Sequence, residues 1–207
     1  MQSMVWVADV APLGGQLPQR FSEWLSCFTE EAPLHYRRPE DILRHTVGIC
    51  MAASLVQPDA AVPLTLGRGT FGKPFFREYP DRQFNLSHSG RWVVCAQSDL
   101  PIGVDIQTQM QLSPESWRLF MTESEAAACA DSVQALWLWS AKEAVAKCIG
   151  SGFLKTPPPV GDIAAETLHP LCIRGEQYWL WQQLWDGSIL SVCLRREERP
   201  AVRPYPL

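Results

Sequence analysis

Apolar runs separated by Pro, Gly and small polar residues divide the chain into short elements of both kinds. Val5 to Val10 predicts an opening strand, a Pro/Gly turn follows at 12–18, and a helix is expected over 19–29. A longer amphipathic helix is expected from Glu40 to Leu55, with Pro39 at its start, where a fixed φ and a missing N–H cost nothing. Val62 to Arg68 and Phe84 to Leu86 read as short strands around a turn-rich stretch at 67–74, followed by strands at Trp92 to Gln97 and Ile102 to Ile106. Asp99-Leu100-Pro101 is the connector between the last two. Two short helices are expected over Pro114 to Phe120 and Ser124 to Ala130, and an 18-residue one from Ser132 to Ile149. Asp131 or Ser132 would cap the long helix and Gly150 would stop it. Leu168 to Arg174, Tyr178 to Trp185 and Ser188 to Arg195 close the pattern as strands, the last two joined as a hairpin over Asp186-Gly187. The tail from Glu197 to Leu207, with three prolines, is expected to be loose. Each half thus pairs helices with a small, mostly antiparallel sheet, an α+β layout with a seam near 99–101.

Composition narrows the function. A chain of 207 residues that is 46% hydrophobic and 19% charged can bury one or two cores. The net charge of -4 argues against a broad basic face for nucleic acid, though not against a local basic pocket. Seven Cys, odd in number and without a C-x-x-C pair, suggest neither a disulfide framework nor a zinc site, and read as small buried hydrophobes in a reducing cytosol. The N-terminus has no basic n-region, so its apolar run reads as a strand and not a signal peptide, and Thr46 to Val56 is far too short to span a membrane.

Lysine usage changes the picture more. Only four of the 18 basic residues are Lys, and Lys73, Lys142 and Lys147 fall in two short windows that could bind phosphate. One window, Trp139-Ser140-Ala141-Lys142-Glu143-Ala144-Val145-Ala146-Lys147, sets two ammonium groups and a carboxylate on one helix, although an i, i+4 pair of Glu143 and Lys147 also decorates ordinary solvated helices. Asp105, in Gly103-Val104-Asp105-Ile106-Gln107, is a carboxylate in an apolar strand that needs a cation, hydrogen bonds or a capping role, and Gln107 shares its face. Phe84 to Gly90 could end in an anion nest or in a turn satisfied by its own side chains. Alone, Gly72-Lys73-Pro74 reads as a surface turn, Arg44 as a solvated residue and Trp139 as core.

Taken in order, G-K-P, F-N-L-S-H-S-G-R-W, P-I-G-V-D-I, Phe120 with Glu125, and W-S-x-K-E-A-x-x-K closely resemble the 4′-phosphopantetheinyl transferases of the surfactin (Sfp)-type subfamily. The resemblance covers roughly residues 35–160. It implies a monomer of two similar subdomains related by a pseudo-two-fold, residues 1–100 and 101–207, with coenzyme A and a magnesium ion in the cleft between them. By that resemblance Asp105 and Glu143 hold the metal, Lys147 contacts the coenzyme A pyrophosphate, and Arg44, Lys73, Ser87 and His88 meet its 3′-phosphate or adenosine end. Glu125 matches an acidic position of open role. Gln107 departs from the pattern, since many relatives carry a Glu there as a third metal-side carboxylate. Glu143, directly or through a water, is the first choice of general base, with His88 the alternative. The implied activity is transfer of 4′-phosphopantetheine to a serine of an apo carrier protein in the cytoplasm, releasing adenosine 3′,5′-bisphosphate. A coenzyme A binding module without catalysis is the alternative. Leu112, Phe120 and Met121 lie where the resembling enzymes meet their carriers, with plain core packing as the other reading.

Overall fold

A computed structural model of the chain describes residues 2–30, 37–57, 60, 62–108, 112–117, 119–151, 160 and 165–207. The described residues form a mixed α+β structure with eleven strands and five α-helices. In chain order these are β1 (Met4–Asp9), α1 (Gln19–Cys27), β2 (Phe28–Glu30), α2 (Pro39–Val56), β3 (Leu64–Arg68), β4 (Pro74–Phe76), β5 (Gln83–Ser89), β6 (Trp92–Ser98) and β7 (Ile102–Gln107). They continue with α3 (Pro114–Trp117), α4 (Glu123–Ala128), α5 (Ser132–Ile149), β8 (Leu168–Ile173), β9 (Glu176–Trp185), β10 (Ser188–Leu194) and β11 (Ala201–Pro204). No described helix is long and apolar enough to cross a membrane.

Two four-stranded sheets, ordered β11-β1-β6-β5 and β7-β10-β9-β8, enclose an apolar layer, and a small sheet β2-β3-β4 lies beside them. Strand alternation sorts the side chains: Val5 and Val7 of β1, Trp92, Val94 and Ala96 of β6, and Ile102, Val104 and Ile106 of β7 fill the inter-sheet core with Leu190, Val192 and Leu194 of β10. The opposite face of β6, through Val93 and Cys95, joins the core under α2. A third core sits under α5, where Ala141, Ala144, Val145 and Cys148, spaced as one helical face, meet Leu180 and Cys193. Both faces of β6 are therefore buried, and the layers run α2, sheet, sheet, α5.

Two local details place the site. Gly103 is where α5 crosses β7, and a Cβ there would stand 2.0 Å from Ala144 O and 2.4 Å from Cys148 N, so only Gly permits that approach. The edges of β5 and β7 are joined by side chains: Asn85, Ser87 and Ser89 accept from the backbone N–H groups of Val104, Ile106 and Thr108 at 2.9, 3.2 and 3.1 Å. The two-residue spacing on both strands makes this ladder possible and satisfies the N–H groups of β7 that face β5.

Several expectations are corrected. The tail is not loose: β11 runs parallel to β1, and Tyr205 beyond it meets Trp6 edge-on at 6.2 Å and shares a 2.7 Å hydrogen bond with Ser54. Residues 28–30 leave the first helix to pair with β3, and β4 begins at Pro74, inside the stretch read as a turn. Cys172 is exposed and Cys27 and Cys129 half-buried, so the description of buried small hydrophobes holds for Cys50, Cys95, Cys148 and Cys193. The helix expected over Pro114 to Phe120 is described as Pro114–Trp117, and residue 118 lies outside the described residues.

Candidate active site

β7 turns Ile102, Val104 and Ile106 into the inter-sheet core, so the period of two directs Gly103, Asp105 and Gln107 to the α5 side. α5 covers that side at Gly103 and leaves it open beyond, which creates a cleft of about 360 Å³. Asp105 and Gln107 form part of its wall, as do Trp139, Glu143 and Lys147, three residues at i, i+4 and i+8 on one stripe of α5. Ser87 of β5 adjoins Asp105, and the rest of the lining includes Arg44, His45 and Gly48 of α2, Arg68 of β3, and Leu86 and His88 of β5.

Asp105 is almost completely buried, and both of its oxygens are engaged. Oδ1 accepts from Lys147 Nζ at 2.7 Å and Ser87 Oγ at 2.9 Å, and Oδ2 accepts from the Gln107 amide at 2.9 Å. Lys147 Nζ also donates to Val104 O at 3.2 Å and lies 3.9 Å from Glu143 Oε2. Burial pushes the Glu143 carboxyl above its ordinary range; the Lys147 ammonium opposes that and the nearby Asp105 adds to it. The site thus holds two carboxylates from different elements with one cation between them.

The rest of the lining is cationic or potentially so. Arg44 donates from Nη1 to Gly90 O at 3.0 Å and from Nη2 to Asp41 at 2.9 Å, while its Nε is buried with no hydrogen-bond partner among the described residues. Burial, reinforced by Arg68 and His88, lowers the His45 imidazole to about 4. His88 is also lowered, first by burial and then by Arg44. Both rings are therefore neutral at pH 7 and become easier to protonate when an anion arrives.

Not every expected residue reaches this cleft. Lys73 lines an adjoining recess of about 210 Å³ with Asn85, Ala146 and Gly150, and its Nζ donates to Ile102 O at 3.0 Å. Burial lowers its ammonium from the usual value. Lys142, from the same lysine-bearing window, faces away and pairs with Glu125 at 2.7 Å. Of the two readings of Phe120, carrier contact or core packing, its packing favours the second: it is 3% exposed and its ring meets Trp139 edge-on at 4.9 Å. Leu112 and Met121 are half-buried. Trp139, read as core by default, lines the cleft instead, as do His45 and Arg68, which no motif singled out. His45 follows Arg44 on α2 and Arg68 ends β3 before a Gly-rich turn, and neither position carries a local signal of its own.

A metal would have to be held by oxygen donors of this wall. Among the described residues no group of three or more His, Cys, Asp and Glu is gathered at one point, so the donor set is two carboxylates and the Gln107 amide. Those donors fit a hard cation such as magnesium, which takes one or two protein carboxylates and completes its octahedron with phosphate and water. The ammonium already seated at Asp105 shows that this wall stabilises positive charge.

The family follows from comparison. The model of the 4′-phosphopantetheinyl transferase superfamily matches residues 101–183, which include β7, α5 and most of β9. The chain is 31% identical over 150 residues to 4′-phosphopantetheinyl transferase Sfp of Bacillus subtilis (strain 168), covering 68% of this chain and 67% of that protein. It is 39% identical over 87 residues to 4′-phosphopantetheinyl transferase psf-1 of Bacillus pumilus, covering 39% and 37%. Against 4′-phosphopantetheinyl transferase gsp of Aneurinibacillus migulanus it is 30% identical over 132 residues, covering 59% and 55%. The chain belongs to the 4′-phosphopantetheinyl transferase superfamily, with the Sfp-type enzymes.

Proposed function

We propose that the chain moves 4′-phosphopantetheine from coenzyme A to a serine of an apo carrier protein and releases adenosine 3′,5′-bisphosphate. The observation that carries this reading is one cleft lined by Asp105, Glu143 and Lys147 together with Arg44, His45, Arg68 and His88. A pyrophosphate ester brings several negative charges, and fixed cations bind and orient it without reorganising during the reaction. Lys147 is the group assigned to the pyrophosphate, and Arg44, Ser87 and His88 to the 3′-phosphate or adenosine end, with Lys73 supporting them from the adjoining recess. Ser87 has its hydroxyl committed to Asp105 and the Ile106 N–H, so its part is to hold the wall beside the ligand.

In the reaction the serine oxygen forms a bond to the phosphorus that carries pantetheine, and the bond from that phosphorus to the oxygen of the adenosine bisphosphate leaving group breaks. The serine proton goes to Glu143, whose carboxyl lines the cleft beside Lys147. Asp105 and Glu143 would hold magnesium with the Gln107 amide oxygen turned toward it, and the ion would supply charge neutralisation at the pyrophosphate. We read the enzyme as a cytoplasmic monomer of two pseudo-equivalent halves, 1–100 and 101–207. Supporting this, α2 and α5 are both 18 residues long and each covers one four-stranded sheet, although β11 returns to the first sheet. Leu112 and Met121 are assigned to the carrier contact. Chromatographic detection of adenosine 3′,5′-bisphosphate tests the reading: it should form in equal amount to modified carrier, and nucleotide release that ignores the carrier would contradict it.

A further inference from the structure

We infer that the buried Glu125–Lys142 ion pair is a positioning device for catalysis, setting the rotation of α5 that turns Glu143 into the cleft. This rests on the assignment of Glu143 as the base and metal-holding carboxylate.

The Lys142 side chain is 0% exposed and that of Glu125 9%, with Nζ 2.7 Å from Oε2. Burial pushes the Lys142 ammonium down and Glu125 offsets part of that; burial would raise the Glu125 carboxyl, but the hydrogen bonds and charge of Lys142, with the N–H groups of Thr122 and Val160, hold it low. Glu125 Oε2 accepts from Thr122 N at 2.8 Å and Oε1 from Val160 N at 3.3 Å, while Thr122 Oγ1 caps Glu125 N in return. This capping box anchors the carboxylate to the start of α4. Among the described residues Lys142 is the α5 side chain that pairs with it.

A buried ion pair is a poor way to gain stability, since apolar residues of similar volume do as well or better. It is a good way to choose one orientation, because rotating α5 would leave an ammonium buried without a partner. The core face of α5 carries Ala141, Ala144, Val145 and Cys148, Gly103 lets it approach β7 closely, and the Glu125–Lys142 pair acts together with Ser140 Oγ on Ser191 Oγ at 2.7 Å and Lys147 on Asp105 at 2.7 Å. Small residues fix that distance better than they fix the rotation. Lys142 and Glu143 are consecutive and so project about 100° apart around the helix axis. Holding one toward Glu125 therefore aims the other at the cleft. A second contact from the same segment, Phe120 on Trp139, acts one turn earlier on the cleft stripe.

The test is the double variant Glu125→Gln/Lys142→Met, which removes both charges, keeps the volume and, through the amide oxygen, keeps the acceptor for the Thr122 N–H while giving up the 3.3 Å bond from Val160 N. Its melting temperature should equal or exceed that of the parent, while kcat falls about ten-fold or more and the magnesium concentration for half-maximal rate rises. Apart from turnover, the rise in melting temperature on adding coenzyme A should persist, and the further rise on adding magnesium should shrink. Parental kcat together with a parental magnesium increment would reduce the pair to a structural one and overturn the inference. If the double variant does not fold, Glu125→Gln alone, which keeps an acceptor for Lys142, carries the same readouts with a fall of about three-fold in kcat, and parental values overturn it. Full transfer by Glu143→Gln would instead overturn the assignment of Glu143, a result separate from either outcome.

Discussion

Lys147 Nζ lies 2.7 Å from Asp105 Oδ1, an ion pair that joins the last turn of the motif helix to the strand it crosses. The same ammonium stands 3.9 Å from Glu143 Oε2, so it separates two carboxylates that would otherwise repel. Its charge favours the ionised form of Glu143, while burial and Asp105 favour the protonated one.

That balance sets the acid limb of the pH–rate profile. Glu143 must be ionised to take a proton; burial raises its proton affinity while a bound magnesium ion would lower it, so the acid limb should lie at higher pH at limiting magnesium than at saturating magnesium. Lys147→Gln removes the opposing ammonium charge and should move the limb to still higher pH, with kcat/KM lower by about 100-fold or more. A limb at the parental position would show that the ammonium does not act on Glu143.

Gln107 offers an amide where a third acid would hold magnesium more tightly. In the structure its N–H donates to Asp105 Oδ2 at 2.9 Å. Gln107→Glu should lower the magnesium concentration needed for half-maximal rate, whereas Asp105→Ala and Glu143→Ala should abolish turnover without unfolding the protein. A magnesium titration of Gln107→Glu that overlays the parent removes this residue from the metal site.

His45 makes stability depend on pH. Its proton affinity is depressed to about 4 in the fold against 6.5 for the free side chain, so between those values the unfolded chain binds the proton and the folded chain does not. The resulting stability is complete above pH 6.5 and is lost as the pH falls toward 4. Allowing for partial exposure, it amounts to about 2 kcal/mol. His45→Gln should flatten the fall in unfolding free energy between pH 7 and pH 4.5 measured in urea, and an unchanged slope would place the effect elsewhere. Coenzyme A phosphates beside this ring should also draw in a proton, seen as a buffer-dependent binding enthalpy near pH 5.5.

Carrier contact separates from packing by the same logic. Leu112→Ser with Met121→Ser should raise the half-saturating carrier concentration several-fold, about five-fold by the area removed, and leave coenzyme A affinity unchanged. Phe120→Ser, which empties a place against Trp139, should lower the melting temperature instead. Loss of coenzyme A affinity in the first variant would favour a packing role for Leu112 and Met121.

The motif helix was legible to the residue because its signals are local: Asp131 caps Gln134 N at 2.8 Å, and Gly150 supplies the left-handed φ of 72° that ends it. The Asp186-Gly187 hairpin was legible for the same reason, both residues having positive φ. The tail was not, because Ala201–Pro204 is held by a strand almost the whole chain away and by Tyr205 on Trp6. Around the cleft, strand parity put Asp105 and Gln107 on one face, and helical spacing aligned Glu143 with Lys147. What His45 and Arg68 contribute depends on how α2 and β3 dock. Burial of Lys142 was likewise invisible, since its partner Glu125 lies 17 positions upstream on another element.

The most direct test is mass spectrometry of an apo carrier incubated with the protein, coenzyme A and magnesium. The carrier should gain the mass of one phosphopantetheine group on its serine, excess chelator should stop the reaction, and Glu143→Ala should not support it. A carrier that remains apo with the folded parent protein, across carriers of fatty-acid, polyketide and nonribosomal peptide type, would contradict the proposed transfer, and modification that continues unchanged in chelator would contradict the metal's part in it.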